Sequence, residues 1–525
     1  MREPIGIRRT ILEDYPDHLR DESRRQGCAD SISFPGDERE LRAHLRWAAE
    51  QGLPVTVQGG RTGLTGGAVP DGGHVLSLWR MRRYLGLRRH PDGVAWLLRV
   101  EPGILLSELR DALRDRAFDT TGWDAASRAA YAEFERQRRY IFPPDLTESG
   151  AALGGLAANN GSGARTFAYG AARASIHALR VVLADGDVLE LERGAQRAVG
   201  RRFDLVTESG RHVAGALPGY QMPAVKNAAG YFAQDDMDLV DLFIGSEGTL
   251  GVIAALELKL VPAPAAMWGV TAFLPNEAAA LELVNQARAA AKRPAAIEFF
   301  DAHVLDLLRA QKDGNPAFKD IPALPAAWRS AVYIEYHADS EDAAEEAVMG
   351  LSELMADCGG DADATWLATG ERDIERFKVF RHAAPECVNL LIDERRKREP
   401  RLTKLGTDLA VPDARLREVM AMYHADLADA GLEYVIFGHI GNNHVHVNII
   451  PHTLDEYQRG KALYLTWAER VVAMGGTVSA EHGIGKLKRE MLHVMFGAAG
   501  IDQMRALKRL FDPTMRLGPG NLFAA

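Results

Sequence analysis

The segment Pro54–Pro70, PVTVQGGRTGLTGGAVP, is a short β-rich run that opens into a loop with five glycines. Because glycine has no Cβ atom, such a backbone can approach an anion closely and turn its N–H groups toward it. A diphosphate is the ligand that suits this surface. The spacing matches neither GxGxxG nor GxxxxGK[ST], which argues against a Rossmann or P-loop assignment. Taken alone, a loop of this kind is more often a tight turn than a ligand site.

Two further glycine-rich runs favour the ligand site. The run Phe142–Gly170 contains the apolar-amide segment Leu156–Asn160 between pairs of glycines, where the backbone can lie flat against a large planar group. In the run Phe243–Ile253, FIGSEGTLGVI, glycines again interrupt a strand-like segment. Considered singly, a buried small-residue turn and a bulged strand would explain these two runs equally well.

Size and charge limit the class of protein. A chain of 525 residues is too long for one hydrophobic core and predicts two or more domains. The formal charge of −10 and the lack of a long basic run argue against a nucleic-acid partner. Three widely spaced cysteines indicate a reducing compartment. With no run of about 18 apolar residues, we expect a cytoplasmic protein, with peripheral contact at the inner membrane face left open.

The order of predicted elements is that of an α+β chain. A capped helix over Glu38–Gln51 precedes the first glycine loop, and His177–Glu192 reads as a hairpin around Asp185-Gly186. A Pro/Ala-rich stretch after Val261 marks a boundary, beyond which predicted strands alternate with helices. We therefore divide the chain into a lead segment 1–33, a first domain 34–262, a second domain 263–478 and a C-terminal segment 479–525.

Together the three glycine-rich runs resemble the FAD-binding domain of the vanillyl-alcohol oxidase/PCMH flavoprotein superfamily. The resemblance implies a PCMH-type domain of two subdomains over 34–262. Its first loop would hold the FAD diphosphate, its second run would flank the flavin and ribityl chain, and its third would close around adenine and ribose. Gln58 and Arg61 have no His or Cys beside them in the sequence, so we expect non-covalent FAD. The implied cofactor-binding residues are Gly59, Gly60, Arg61, Thr62, Gly63, Leu64, Thr65, Gly66, Gly67, Pro144, Asp145, Gly154, Gly155, Asn159, Gly163, Glu247, Gly251, Ile253 and Asn521.

A second group of residues carries the chemistry. In Phe437–Asn448, FGHIGNNHVHVN, the residues His444, His446 and Asn448 alternate and share one face of a strand. Later, Ser479–Gly485 reads SAEHGIG. Two imidazoles and a carboxylate suit a divalent transition metal, and a further imidazole suits proton transfer near neutral pH. A His-rich strand face at a domain interface is the alternative interpretation.

These motifs are similar to GHxGDGNxHxN and EHGxG of the FAD-linked D-2-hydroxy-acid dehydrogenases, the D-lactate, glycolate and D-2-hydroxyglutarate type. The resemblance implies that His439, His446 and Glu481 bind a metal, zinc or manganese. It also implies that His482 is the general base and that Asn448 orients the substrate. The chain departs from the family at Asn442-Asn443-His444, where Asp-Gly-Asn is usual.

The family's substrate-anchoring cations correspond to Arg381 and Lys404, which could equally be ordinary surface charges. A guanidinium suits a carboxylate because it can form a bidentate pair. The implied reaction oxidises a D-2-hydroxy acid to the 2-keto acid, with hydride passing to flavin N5 and His482 taking the hydroxyl proton. An α/β substrate or cap domain with a ferredoxin-like sheet would follow the FAD domain, and the C-terminal segment would return to the flavin.

Two other functions stay open from the sequence. One is a non-redox FAD transferase of the alkyl-dihydroxyacetone-phosphate synthase type, although its three consecutive histidines are interrupted here by Val445. The other is an oxidase that passes electrons from an alcohol or sugar to O₂. The sequence also leaves open the hydroxy acid, the metal, the electron acceptor (quinone, cytochrome or electron-transfer flavoprotein) and the oligomeric state, for which a homodimer is the commonest case.

Overall fold

The computed structural model describes residues 4, 6–9, 11–312, 315, 321 and 323–524, apart from the side chains of residues 12, 371 and 376–378. Within these residues, helices and strands alternate irregularly and form two sheet-containing halves. None of the helices that the described residues form combines the length and the apolar composition that a bilayer crossing requires.

The first half contains short helices and mostly antiparallel strands. Its helices are α1 (Ile11–Asp14), α2 (Glu38–Glu50), α3 (Leu106–Asp115), α4 (Ala125–Phe134), α5 (Leu153–Ala158), α6 (Thr166–Tyr169) and α7 (Val240–Phe243). Its strands are β1 (Ser31–Ser33), β2 (Val55–Gln58), β3 (His74–Ser77), β4 (Tyr84–Arg89), β5 (Trp96–Val100), β6 (Tyr140–Ile141), β7 (Ile176–Val182), β8 (Val188–Glu192), β9 (Arg202–Val206), β10 (His212–Ala216) and β11 (Val252–Pro262).

A small parallel sheet carries the first glycine loop. Its strand order is β1-β3-β2, and the loop begins directly after β2. The predicted helix before it is confirmed as α2, whose N-cap Asp37 accepts a hydrogen bond from the backbone N–H of Glu40 at 2.8 Å. Leu41, Leu45 and Ala48 of this helix are buried, so its apolar face packs inward and fixes the end of β2.

A larger antiparallel sheet supports the second and third runs. Its order is β4-β5-β11-β7-β8, with β6 paired to β11. The predicted hairpin is confirmed as β7 and β8, which are joined by a turn in which Gly186 has a φ of +80°. The long central strand β11 begins where the third glycine-rich run ends, so this run is held against the sheet.

The second half is dominated by one antiparallel sheet. Its strands are β12 (Ala266–Leu274), β13 (Ala296–Phe300), β14 (Ser330–Ala338), β15 (Trp366–Thr369), β16 (Leu405–Gly406), β17 (Tyr434–His439) and β18 (His444–Ile449). Its helices are α8 (Glu277–Ala289), α9 (Ala302–Lys312), α10 (Glu341–Asp357), α11 (Glu371–Arg396), α12 (Leu416–Ala430), α13 (Leu454–Ala473) and α14 (Arg489–Phe511). The order β15-β12-β14-β13-β17-β18-β16 is antiparallel throughout, which makes this half α+β rather than α/β.

The C-terminal segment returns to the first half. The backbone N–H of Gly518 donates to the carbonyl of Val55 at 2.9 Å, which extends the pairing of β2. The buried ammonium of Lys508 donates to the carbonyls of Thr249 and Leu517, each at 2.7 Å. These contacts bring the end of the chain beside the first and third glycine-rich runs.

Candidate active site

One cavity of about 290 Å³ joins the glycine-rich runs to the histidine hairpin. A volume of this order, in a cleft between two sheets, is that of a small-molecule or cofactor site. The predicted residues that line it are Gly59, Gly60, Arg61, Thr62, Gly63, Leu64, Thr65, Gly67, Gly154, Gly155, Asn159, Glu247, Gly251, Ile253, His439, Glu481, His482 and Asn521.

The first two runs pack backbone against backbone. A Cβ atom on Gly60 would lie 2.6 Å from the carbonyl oxygen of Gly150, so only glycine fits there. By contrast, Cβ atoms on Gly63 and Gly155 would meet nothing within 4 Å. The missing side chains therefore bring the loops together at some positions and leave open space beside the backbone at others, which suits a large ligand.

Ser162 is a lining residue that the sequence analysis missed. Its hydroxyl is buried and has no hydrogen-bond partner among the described residues. A buried hydroxyl without a partner is costly, so a polar ligand group in the cavity would satisfy it. This orphaned atom and the glycine cradle fit an extended FAD. The signal was in the sequence, because Ser162 lies between Gly161 and Gly163 of the second run.

Four of the predicted cofactor residues do not line the cavity. Asp145 instead forms an ion pair with Arg110 at 3.0 Å, and the carbonyl of Pro144 accepts from the same guanidinium at 3.3 Å. Gly163 packs against the carbonyl of Asp145, where a Cβ would come within 1.8 Å. Gly66 turns away with a φ of +75°. These residues shape the loops from outside the cavity.

Glu247 connects the third run to the SAEHGIG segment. Its two carboxylate oxygens accept from the backbone N–H groups of Ile484 and Gly485, each at 2.7 Å. Burial raises the pKa of this carboxyl to about 7, although the two N–H groups act in the opposite direction. Asn521 donates from its amide to the carbonyls of Gly67 and Glu247. Both residues thus join segments that are distant in the sequence.

Three imidazoles of one hairpin converge on the carboxylate of Glu481, to which the Nε2 atom of His482 is also close, at 3.4 Å. The Nε2 atoms of His439 and His446 each lie 3.4 Å from a Glu481 oxygen, and Nδ1 of His444 lies 3.8 Å from one. The four donor atoms all fall within 4.8 Å of one another. Strands β17 and β18 form this hairpin, in which His439 pairs with His444 across the strands.

The turn of the hairpin accounts for one departure from the family motif. Asn443 has a φ of +52°, a left-handed conformation that favours glycine and that asparagine tolerates better than other side chains. Its amide also donates to Asp413 at 2.6 Å. Asparagine therefore replaces glycine here without changing the path of the chain.

The outer nitrogen of each imidazole faces an oxygen. His439 Nδ1 lies 2.6 Å from Glu298, and His446 Nδ1 lies 2.9 Å from the carbonyl of Thr407. His444 Nε2 lies 3.0 Å from Asp408, too poorly aligned for a good hydrogen bond. Outer oxygens of this kind are typical around metal-binding histidines, because they fix the tautomer and ring orientation. The donor set therefore fits a divalent transition metal.

Lys226, which lies between the second and third runs in the sequence, also reaches this cluster. Its ammonium donates to Glu481 at 2.7 Å and lies 3.2 Å from His444 Nδ1. Burial, followed by this ammonium, holds the pKa of His444 well below its usual value, so the imidazole is neutral. Burial alone would lower the pKa of His439, but Glu298 and Glu481 raise it to about 9.

Asp408 organises the segment that carries His482. It accepts from the backbone N–H groups of Glu481 and His482 at 3.1 and 3.0 Å, and from the Ser479 hydroxyl at 2.6 Å. Lys488 donates to it at 2.6 Å. Burial alone would raise the pKa of Asp408, but His482 and Lys488 hold it well below its usual value. His482 stacks on the ring of His446 and lines the cavity.

Arg381 and Asn448 lie beside the cluster, and neither they nor Lys404 are among the residues that line the cavity. The guanidinium of Arg381 is 3.9 Å from Glu298, which itself contacts His439. Burial and the nearby Arg24 lower the pKa of Lys404, and no carboxylate of the described residues pairs with its ammonium. Asn448 is buried, and its amide donates to the carbonyl of His446.

A histidine from the lead segment reaches the first loop. His18 Nδ1 lies 2.6 Å from the side-chain oxygen of Gln58 and 3.2 Å from the guanidinium of Arg61. The sequence analysis found no histidine near this loop because His18 is 40 residues before Gln58. It is not among the residues that line the cavity.

Comparisons with known proteins agree with this architecture. Residues 263–522 match the family model described as FAD linked oxidases, C-terminal domain, and residues 29–131 and 125–192 match that of the FAD binding domain. The chain is 30% identical over 524 residues to "Probable D-lactate dehydrogenase, mitochondrial" of Danio rerio, with 99% of this chain and 89% of that protein covered.

Two further proteins are similar to this chain, one in sequence and one in fold. A D-2-hydroxyglutarate dehydrogenase of Xanthomonas citri pv. viticola is 28% identical over 499 residues, which cover 94% of this chain and 89% of that protein. A solved structure of alkyldihydroxyacetonephosphate synthase is 16% identical, with a TM-score of 0.64 over 98% of this chain and 82% of that chain. At that identity the structural likeness shows a shared fold alone.

The matches to the two FAD-domain families and to the dehydrogenase relatives define an FAD-dependent oxidoreductase that acts on a CH–OH group. More narrowly, the chain belongs to the FAD-linked D-2-hydroxy-acid dehydrogenases of the vanillyl-alcohol oxidase/PCMH flavoprotein superfamily.

Proposed function

We propose that this enzyme oxidises a D-2-hydroxy acid to the corresponding 2-keto acid with non-covalently bound FAD. The observation that carries the proposal is that one continuous cavity runs from the glycine-rich loops to His439, Glu481 and His482. In such a cavity, the α-carbon of a small hydroxy acid can lie between a flavin and a basic imidazole. The names of the two curated relatives, which act on D-lactate and D-2-hydroxyglutarate, support the substrate class.

His482 is the general base in this proposal. It lines the cavity, and its neighbour Asp408 fixes its backbone N–H. The imidazole removes the hydroxyl proton as the α-hydrogen leaves with its electron pair, so that the C–OH group becomes a carbonyl. Bound FAD supplies the two-electron acceptor. A non-nicotinamide acceptor (a quinone, cytochrome or electron-transfer flavoprotein) then reoxidises the flavin.

The substrate carboxylate is anchored by cations in this proposal. Lys404 is a candidate because its ammonium lacks a carboxylate partner among the described residues. Arg381 is a candidate because its guanidinium lies 3.9 Å from Glu298, the carboxylate that contacts His439. Its Nε atom is also buried without a hydrogen-bond partner in the described part of the chain. Asn448, on the same strand as His446, orients the substrate through its amide.

A divalent metal at His439, His446 and Glu481 completes the proposed site. Their converging donor atoms and the oxygens behind the imidazoles support zinc or manganese. Such an ion would supply Lewis acidity that lowers the pKa of the substrate hydroxyl. The protein's contribution is to hold the two imidazoles and the carboxylate on one side of the cavity.

The decisive experiment is anaerobic flavin reduction. FAD-loaded protein is mixed with lactate, glycolate and 2-hydroxyglutarate, using both enantiomers where they exist, and the absorbance of oxidised flavin is followed. We expect D-2-hydroxy acids to bleach it and L-enantiomers to leave it unchanged. Failure of every hydroxy acid would contradict the proposal. Pretreatment with a chelator should slow bleaching. An unchanged rate would contradict the role of the metal but not the oxidation of the hydroxy acid by the flavin.

Two simple measurements test the remaining details. Acid precipitation should release yellow FAD into the supernatant; a yellow pellet would mean a covalent link, for which His18, a neighbour of Arg61, would be one residue to examine. Under air, hydrogen peroxide should form far more slowly than an artificial acceptor is reduced. Stoichiometric peroxide would identify an O₂-using oxidase instead.

A further inference from the structure

The cation site contains one more imidazole than the family motif implies. His444 stands where the family has asparagine, and its Nδ1 is 3.8 Å from Glu481. Around one ion, ligand bonds of about 2.0–2.2 Å limit donor separations to about 4.4 Å. The four donors, including those of His439 and His446, already lie within 4.8 Å of one another. Shifts of a few tenths of an ångström would therefore bring all of them to one ion.

The backbone explains why His444 faces the cluster. His444 and His446 are two residues apart on strand β18, so both side chains point to the same face, and their ring centroids are 4.5 Å apart. His444 is fully buried, and an oxygen of Asp408 lies 3.0 Å from its outer nitrogen. A carboxylate behind a buried imidazole is the arrangement that also holds His439.

Lys226 uses the same lone pairs that an ion would need. Its ammonium lies 2.7 Å from Glu481 Oε2 and 3.2 Å from His444 Nδ1, and its side chain is 1% exposed. The single lone pair of His444 Nδ1 cannot accept a hydrogen bond from the ammonium and bind a cation at once. The ammonium and an ion held by His444 therefore exclude each other from this position.

We propose that His444 is a fourth protein ligand, so that three imidazoles and one carboxylate bind the ion, and that the ion displaces Lys226 from Glu481 and His444. This inference rests on the cation site of the proposed function. A nitrogen-rich ligand set favours transition ions such as zinc over magnesium and calcium.

The test measures metal affinity rather than turnover. FAD-loaded protein is stripped with a chelator, and Zn²⁺ and Co²⁺ dissociation constants are measured by competition with a chromophoric chelator. His444→Asn and His446→Asn should each weaken binding by more than about 100-fold, because loss of an outer-shell partner alone costs about 10–100-fold. The matched control His452→Asn changes an exposed histidine and should leave affinity unchanged. FAD content and melting temperature report folding.

Ligand counting and the lysine provide independent evidence. In Cu²⁺-loaded protein, pulsed electron paramagnetic resonance should detect three imidazoles, and two in His444→Asn. Lys226→Met should tighten Zn²⁺ binding by on the order of 10-fold or more, because it removes a competing charge at close range. An unchanged affinity in Lys226→Met would contradict the displacement.

The outcomes separate this inference from the proposed function. If His444→Asn binds metal as tightly as the parent while His446→Asn does not, His444 is not a ligand and the proposed function is unaffected. If the parent binds no ion and hydroxy acids still bleach its flavin, the metal part of the proposed function is wrong, and so is the inference about His444. If hydroxy acids bleach nothing but three imidazoles bind the metal, the ligand set stands without the reaction.

Discussion

At the scale of single residues, the site depends on side chains whose partners are far away in the sequence. Lys226 contacts Glu481 across 255 positions, and Glu298 contacts His439 across 141. The motifs predicted His439, His446, Glu481 and His482 because these residues lie in short, recognisable patterns. Asp408, Glu298 and Lys226 have no such pattern around them, so their closeness could come only from the three-dimensional structure. The catalytic and ligand roles stay predictions.

Replacement of His482 tests the proposed base. In His482→Ala, anaerobic reduction of the flavin by the best D-2-hydroxy acid should slow by roughly 10²–10⁴-fold, the usual contribution of general-base catalysis. FAD should stay bound, because His482 contributes only one part of the cavity lining. Stopped-flow absorbance measures the rate.

The control for this prediction lies in the same C-terminal segment. His493→Ala alters an exposed histidine of α14 and should reduce flavin at the parental rate. A parental rate in His482→Ala itself would show that another group takes the proton.

At the scale of elements, local patterns predicted most of the structure near the glycine-rich runs. Helix α2 and the β7–β8 hairpin match their predicted bounds within two residues, because caps and Asp-Gly turns are local signals. The antiparallel order of the second sheet was not predictable in the same way. It depends on pairings such as β13 with β17, which are 130 or more residues apart.

Helix α5 allows a test of the cofactor cradle. A Cβ on Gly155 would meet no protein atom within 4 Å, yet Gly155 lines the cavity. Gly155→Ala should leave the fold intact but place a methyl group where FAD is proposed to lie. We expect a loss of about 1–3 kcal/mol in binding free energy, as for overpacking in general, which is about 5- to 150-fold in dissociation constant. Fluorescence titration of the apoprotein with FAD measures this.

The matched control is Gly350→Ala, in helix α10. Its Cβ would also meet nothing within 4 Å, and it does not line the cavity. FAD affinity should therefore equal that of the parent. Equal affinity in both variants would mean that the flavin does not pass beside α5.

Strand β3 contains a residue that makes stability depend on pH. His74 contacts the hydroxyls of Ser31 and Ser33 on β1, and burial lowers its pKa to about 3. Between pH 3 and 6.5 the unfolded chain therefore binds a proton that the folded chain lacks. The free energy of unfolding should fall as pH drops through this window, by up to about 1.4 kcal/mol per pH unit from this residue.

Urea unfolding at several pH values checks this prediction. His74→Gln can keep the contacts with both serines but does not titrate, so its free energy of unfolding should depend less steeply on pH below 6.5. The control His212→Gln alters an exposed histidine and should keep the parental slope. Parallel slopes for the parent and His74→Gln would rule out this origin.

At the scale of the whole molecule, the second glycine-rich run also forms the junction between the two halves. Its end, helix α6, contacts the second half of the chain. The hydroxyl of Tyr169 lies 2.6 Å from His337 of strand β14, and Phe167 packs against Gly441 in the turn between β17 and β18. Arg165 pairs with Glu335 at 2.6 Å in the same junction. The second glycine-rich run, which was predicted as a cofactor motif, therefore also joins the two halves, a role that its composition alone did not reveal.

The buried ion pair predicts how strongly the halves depend on this junction. Glu335 is 1% exposed, so removal of Arg165 would leave a buried carboxylate that keeps the Tyr333 hydroxyl and the His337 imidazole but has lost its guanidinium partner. Arg165→Met should destabilise the protein by about 3–5 kcal/mol, and Arg165→Met/Glu335→Gln should recover much of that loss. Thermal and urea unfolding measure both variants. Arg114→Met breaks an exposed pair and should cause no measurable change; an equally small effect of Arg165→Met would show that the junction does not depend on this pair.

The clamp formed by Glu247 has a mechanical consequence. Both of its carboxylate oxygens accept hydrogen bonds from main-chain amides of the SAEHGIG segment. This segment therefore cannot move outward without leaving a buried carboxyl group unpaired. The FAD-binding loops and the SAEHGIG segment must therefore move together. Asp408 of the second half binds main-chain amides of the same segment, so an opening that admits a reactant or releases a product has to leave both of these buried contacts in place.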